Sequence, residues 1–223
     1  MIISLSYKID SSTPVYGGGE CFLSRPVRSI KKGDTCNTSK WELPSHIGTH
    51  VDFPYHFYEN GQTIEDFAEE FWIIDGKTVQ IIEIDLLDGN LLAKTEHIKK
   101  TDFNYGSEFV IVKTGFGKHR NQKRYETHNP GINDDFCNWI LEKFKKIRII
   151  GLDSVSISSR QHRDTGRIVH KKLLNPKKPV LIIEDMNLAK ITSKTRFKKI
   201  IIAPVMVSKT DGAPCKIIAD VEK

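Results

Sequence analysis

At 223 residues, with 39% hydrophobic and 28% charged side chains, the chain is long enough to bury a substantial core and too apolar for disorder to be expected. No apolar run approaches the roughly 20 residues that span a bilayer, and Met1 to Lys8 lacks a basic region followed by a long apolar one, so no membrane segment is expected and the expected location is the cytoplasm. The net charge of +6 gathers lysines at 143–148, 171–178 and 194–199, but no aromatic residues interleave those runs, which argues for a solvated surface and against a nucleic-acid partner.

In chain order, residues 2–9 alternate as a first strand does, and the turn-rich 10–14 leads into Val15-Tyr16 and three glycines. That glycine run has no following Lys-Ser/Thr and does not read as a phosphate loop. Residues 22–39 carry another strand and a polar connection; Cys21, Cys36, Cys137 and Cys215 form no Cys-x-x-Cys pair, as suits a reducing compartment. Thr63 caps a short helical turn, and residues 72–88 read as two paired strands around the Asp75-Gly76 turn. Residues 109–115 are a buried strand, 116–129 a polar, exposed loop near the site mouth, and 133–146 an amphipathic helix. A strand at 147–155, a helical run at 169–174 and strands at 180–186, 199–208 and 211–219 complete the chain.

The densest chemistry lies between Ser45 and Phe57, where His46, His50, Asp52 and His56 fall inside eleven positions. Gly48 and the β-branched Ile47, Thr49 and Val51 oppose a helix, so the segment reads as a loop entering a strand. In a strand His50 and Asp52 share one side while Val51 and Phe53 take the other, and Gly48 lets the backbone bring His46 round to the same point. Two imidazoles and a carboxylate suit zinc, manganese or iron. His56 lies beyond Pro54 and is open to three readings: a fourth ligand, a general base or a polar neighbour. Glu184 ends an apolar strand, where either a metal or one of the many lysines would satisfy it.

His-x-Gly-Thr-His-x-Asp-x-Pro-x-His-Phe, matched over twelve positions, resembles the signature of the cyclase-type metal-dependent hydrolases, the family of bacterial kynurenine formamidases and isatin hydrolases. The resemblance extends to Thr13-Pro14-Val15-Tyr16, to Gly151-Leu152-Asp153-Ser154, to His170 with its trailing Leu173-Leu174, to Glu184 and to Asp211-Gly-Ala-Pro, and so touches most of the chain. It implies a single α/β domain over residues 1–223, a swivelling β/β/α fold with a β-rich core, in a homodimer. It also implies one or two ions per chain, zinc or manganese, with His46, His50 and Asp52 holding the first and His170 with Glu184 completing the centre. His162 is a rival to His170 but lacks the Leu-Leu.

The implied reaction is hydrolysis of a carbon–nitrogen bond in a formamide or cyclic amide, with N-formylkynurenine the leading substrate and His56 shuttling the proton. Tyr16, Phe53 and Phe57, with Tyr55 beside them, are expected to line an aromatic pocket. Three departures touch the grip on substrate: Gly17 where the family has proline, a longer interval at 175–179, and the charged loop after Phe116. Asp153 is expected to shape the site without touching metal, because the family's following aspartate is replaced by Ile157 or Ser158. The competing reading is a catalytically silent binding or regulatory protein of the same fold that uses its basic surface.

Overall fold

The structure is a computed structural model that describes residues 1–86 and 91–222. The runs rich in Ile and Val form its strands, as β-branched side chains favour. In chain order these are β1 (Ile2–Ser4), β2 (Leu23–Arg28), β3 (Thr38–Glu42), β4 (His50–Asp52), β5 (Ile73–Asp75), β6 (Val79–Glu83), β7 (Leu92–Ala93), β8 (Phe109–Lys113), β9 (Gly131–Ile132), β10 (Ile149–Leu152), β11 (Leu181–Glu184), β12 (Phe197–Pro204) and β13 (Gly212–Val221). The α-helices are α1 (Arg124–Thr127), α2 (Asp134–Lys143) and α3 (Arg163–Leu173).

One sheet dominates, with strand order β5-β12-β13-β4-β11-β10-β8-β6 and β1 added to β13. From β11 to β6 the neighbours are parallel, and β8 and β10 are almost wholly buried, as parallel strands covered on both faces must be. The other half is antiparallel. Its two halves meet at β4, a three-residue strand with β11 on one side and β13 on the other.

The Asp75-Gly76 turn forms, with the Asp75 carboxylate accepting from the Lys77 N–H at 3.0 Å, but β5 and β6 do not pair with each other as expected. They occupy opposite ends of the strand order although only residues 76–78 separate them. So short a link spans at most ~14 Å, and the sheet therefore curls until its ends nearly meet around a β-rich core. Local turn chemistry set the bend; the buried Ile81 and Ile82 of β6 pack with the buried strand β8, to which β6 pairs in parallel instead of back along β5. Leu87 and Asp88, at the end of that expected strand pair, lie outside the described residues. Helix α2 begins at Asn133, whose side chain accepts from the Asp134 N–H at 2.9 Å, and buries Phe136, Cys137 and Ile140.

The segment 116–129 is only in part the exposed loop that its polarity implies: Lys118, residues 121–124 and His128 are exposed, but Tyr125 and Asn129 are buried. It folds inward because two of its side chains have a buried acid to satisfy. Asp185, directly after β11, is 1% exposed, and receives the Arg120 guanidinium through Nε at 2.9 Å and Nη2 at 2.7 Å and the Tyr125 hydroxyl at 2.6 Å. Tyr125 is fully buried, and the Arg120 guanidinium lies 4.0 Å above the Tyr7 ring. Removing one partner of a buried ion pair strands the other. Arg120→Ala is therefore expected to lower unfolding free energy by about 3–5 kcal/mol, read from urea denaturation; a loss under about 1 kcal/mol would show that Asp185 does not depend on the guanidinium.

Candidate metal centre

The centre stands where the two halves of the sheet join. Gly48, at φ +62°, turns the chain so that His46 folds back toward β4. Along β4 the alternation is as expected: His50 and Asp52 face the centre, and His50 sits directly across from Glu184 of β11. On the other flank Gly212 lies opposite Asp52, and a side chain there would meet the His46 ring at 2.5 Å, so only glycine leaves room for it. Helix α3 supplies His170.

Asp52 is the hub, 1% exposed. Its Oδ1 lies 2.9 Å from His46 Nδ1 and 3.3 Å from His50 Nε2, and its Oδ2 lies 3.6 Å from His170 Nε2. Glu184 faces the same two buried rings, with Oε2 3.5 Å from His50 Nε2 and Oε1 3.6 Å from His170 Nε2. Its Oε1 also accepts from Ser156 Oγ at 3.0 Å and from the Ile157 N–H at 2.7 Å, which orients the carboxylate. The ligand atoms of His50, Asp52 and Glu184 fall within 4.8 Å of one another, and so do those of His46, Asp52 and His56, so Asp52 belongs to both sets.

The tautomers of the buried rings are set by the backbone. His50 Nδ1 donates to the Gly48 carbonyl at 2.8 Å, and His170 Nδ1 donates to the Gly166 carbonyl at 2.8 Å. Each ring therefore turns Nε2 toward the two carboxylates, the orientation that second-sphere hydrogen bonds give metal-binding histidines. His50 Nε2 is buried and has no hydrogen-bond partner. A buried nitrogen without a partner, beside two buried carboxylates, is the arrangement a divalent cation satisfies. The residues present fit such an ion.

His162 is exposed at the start of α3 and does not join the cluster, whereas His170 does. Asp153 lies apart from it, its carboxylate accepting from Thr114 N–H at 2.7 Å and Gly115 N–H at 3.0 Å to anchor the turn after β8. Tyr16 and Phe57 line the cavity of about 540 Å³ above the centre, and Phe57 stacks on the His170 ring at 4.7 Å. Phe53 does not line it. This corrects the expectation: Phe53 is fully buried against Phe67 and Trp72 because, two residues on from Val51, it points away from His50 and Asp52. Tyr55 is exposed and is absent from the cavity lining.

Asp211 is a member of the site to which the sequence reading gave no role. Its Oδ2 lies 2.8 Å from His46 Nε2 and 3.2 Å from His56 Nδ1, tying the two rings together at a centroid distance of 4.0 Å. The available signal was its place immediately before Gly212, in a motif already matched as a strand. Arg163 and Arg167 of α3 also line the cavity.

The comparisons with known proteins give the family from the sequence and the fold from solved structures. The profile of the Cyclase family, described as "Putative cyclase", matches residues 3–159. The chain belongs to that family. It is 22% identical over 216 residues to a kynurenine formamidase of Bacillus thuringiensis subsp. konkukian (strain 97-27), covering 97% of this chain and 95% of that one. Among solved structures it resembles a potential metal-dependent hydrolase with cyclase activity, at TM-score 0.75 and 21% identity, covering 100% of this chain and 99% of that chain. It also resembles an isatin hydrolase bound to the product analogue thioisatinate, at TM-score 0.75 and 17% identity, covering 100% and 92%. These likenesses establish the α/β fold of the family's members for this chain.

Protons and a metal compete for the same nitrogens. Burial alone would push His46 and His170 down, but the carboxylates outweigh it: Asp52 and Asp211 raise His46 to about 10, and Asp52 and Glu184 raise His170 to about 10. Metal-free, these rings keep a proton between their ordinary 6.5 and about 10 that the unfolded chain has released. That contribution to stability is complete below pH 6.5 and is lost as pH rises toward 10. Asp52 works in the opposite sense: burial is outweighed by His46 and its fellow imidazoles, its carboxyl is held well below the ordinary 3.8, and its contribution disappears on acidification. The melting temperature of chelator-treated protein should accordingly fall from pH 6.5 to 10, while the increment produced by added zinc grows over the same interval. Scanning calorimetry with and without zinc measures both; an increment independent of pH would mean that the ion displaces no protons.

Proposed function

We propose that this protein is a metal-dependent amidohydrolase that opens a formamide or cyclic amide, with zinc or manganese bound by His50, Asp52, His170 and Glu184 and with His46 and His56 extending the centre through the shared Asp52. The observation that carries the reading is the pair of buried imidazoles whose Nδ1 atoms are committed to backbone carbonyls, leaving both Nε2 atoms aimed at two buried carboxylates. The mixed nitrogen and oxygen donor set suits either metal. The names of the family's relatives, a kynurenine formamidase and an isatin hydrolase, support the reaction class.

A divalent ion held there supplies Lewis acidity, acidifying water and polarising the carbonyl. The chain's own residues do the rest. Tyr16 and Phe57 bound the cavity in which an aryl group would lie against the His170 edge of the centre. His56 stands at the cavity with Nδ1 on the Asp211 carboxylate, so its Nε2 is the atom free to take a proton and return it to the departing nitrogen. N-formylkynurenine is the leading substrate, and a cytoplasmic setting agrees with four free cysteines.

We also read the assembly as a homodimer. Among the described residues strands β2 and β3 pair only with each other, every residue in both is exposed, and Leu23, Val27 and Trp41 are 56%, 62% and 65% exposed. An isolated two-stranded ribbon is marginal in water, and a second copy is the partner that would cover this one. Light scattering should return twice the chain mass; a monomer would remove the assembly and leave the chemistry standing.

The hydrolase reading is tested by metal content and turnover together. His50→Ala should lose both the ion and activity. His56→Ala should keep most of the metal while kcat falls about 100- to 10,000-fold. A panel of N-formylkynurenine, isatin and formanilide, run with zinc and with manganese, then ranks substrates. Formanilide cleaved as fast as N-formylkynurenine would remove the kynurenine assignment; no cleavage of any of them would remove the enzyme.

A further inference from the structure

Arg163, Arg167 and His170 are spaced i, i+4, i+7 along α3 and so share one stripe of the helix. The stripe that carries His170 into the centre thus carries two guanidinium groups onto the wall of the same cavity, and all three residues line it. We propose that this wall is an anion site, with Arg163 the principal donor and Arg167 its second, and that it selects amide substrates bearing a carboxylate away from the bond that breaks. The proposal rests on the amidohydrolase reading and narrows it to acids.

Four observations support it. Tyr16 ties the arginine to the reaction site: its ring lines the same cavity wall as Arg163 and Glu184. The guanidinium comes in beside the loop at Gly17, its Nη2 3.7 Å from where a side chain would start, and Gly17 has φ +69°, which proline's ring forbids. The acids nearest the centre are already engaged: Asp52 and Glu184 face His50 and His170, and Asp211 faces His46 and His56, which leaves Glu20 as the other carboxylate on the cavity wall. Arg167 does pair with Asp164 at 2.8 Å, but both side chains are exposed and such a pair is weak enough to open for a ligand. A guanidinium fork presents parallel N–H donors that fit a carboxylate's two oxygens, and it keeps its charge at every relevant pH.

The test compares matched acids and esters on the metal-loaded enzyme. Wild type, Arg163→Gln and Arg163→Lys are assayed on N-formylkynurenine and its methyl ester, and on 3-formamidobenzoate and its methyl ester. For wild type, kcat/KM for an acid should exceed that for its ester by at least about tenfold, as a charge-assisted hydrogen bond implies. In Arg163→Gln that preference should collapse toward unity through KM, and Arg163→Lys should restore part of it. Acid and ester falling together would make Arg163 a structural residue, and an unchanged ratio in Arg163→Gln would overturn the site. If wild type cleaves none of the four, the hydrolase reading fails, and calorimetric titration with kynurenine and kynurenine methyl ester decides the anion site separately. Tighter binding of the acid that is lost in Arg163→Gln upholds the site; equal binding of the two, or none, ends it.

Discussion

A carboxylate taken out of water must be met by donors or positive charge, and Asp52 is the residue on which that requirement falls most heavily. Three imidazoles converge on it from a loop, a strand and a helix. Its position follows from β4, whose three residues lie between β11 and β13 and so receive one neighbour from each half of the sheet. Were β4 an edge strand, Asp52 would be wet and its hold on three histidines would be screened to little. A short strand antiparallel to both neighbours, at the seam between the antiparallel and parallel halves, is what makes the dry pocket.

The surrounding structure is arranged to keep those side chains where they are. Backbone carbonyls at Gly48 and Gly166 choose the tautomers, Ser156 and the Ile157 amide orient Glu184, and Thr49 Oγ1 donates to the Asp185 carbonyl at 2.6 Å directly behind it. The Arg120–Asp185–Tyr125 cluster then fastens the end of β11 to a segment sixty or more residues away. Rigid support of this kind is what holds ligand atoms at productive distances, since a loosely held imidazole loses affinity through the entropy of being ordered.

What could be read from the sequence was the part whose logic is local. The alternation in residues 50–53 puts His50 and Asp52 on one side, and the same alternation, followed through, places Phe53 in the core and not in the cavity. The buried strands at 109–115 and 180–186 were legible from their apolar runs, and the 133–146 helix from its periodicity. Where partners are distant the pattern carried no such information. The polarity of residues 116–129 describes an exposed loop unless the buried acid at Asp185 is known. Asp211 reads as the start of a strand until Gly212 is seen to make room for His46. The Asp75-Gly76 turn bends the chain whether or not its flanking strands pair, so turn chemistry alone left the curl of the sheet unread. Arg163 and Arg167 share a stripe with His170, a regularity visible in the chain but meaningful only once His170 is placed.

The order of the segments around β4 also governs how the protein is made. His46, His50 and Asp52 leave the ribosome before their partners: β11 follows well over a hundred residues later, and β13 later still. At roughly 5–20 residues per second, the interval of about 160 residues between Asp52 and Asp211 lasts on the order of ten to thirty seconds. Until β11 is made, most of the way through that interval, β4 has neither neighbour, and to its end β4 still lacks β13, so Val51 and Phe53 have no finished sheet to bury them. Metal selection therefore belongs to the finished sheet and not to the nascent chain. The same delay makes the histidine segment the stretch on which a chaperone, by shielding an unpaired strand, has the most to protect during synthesis.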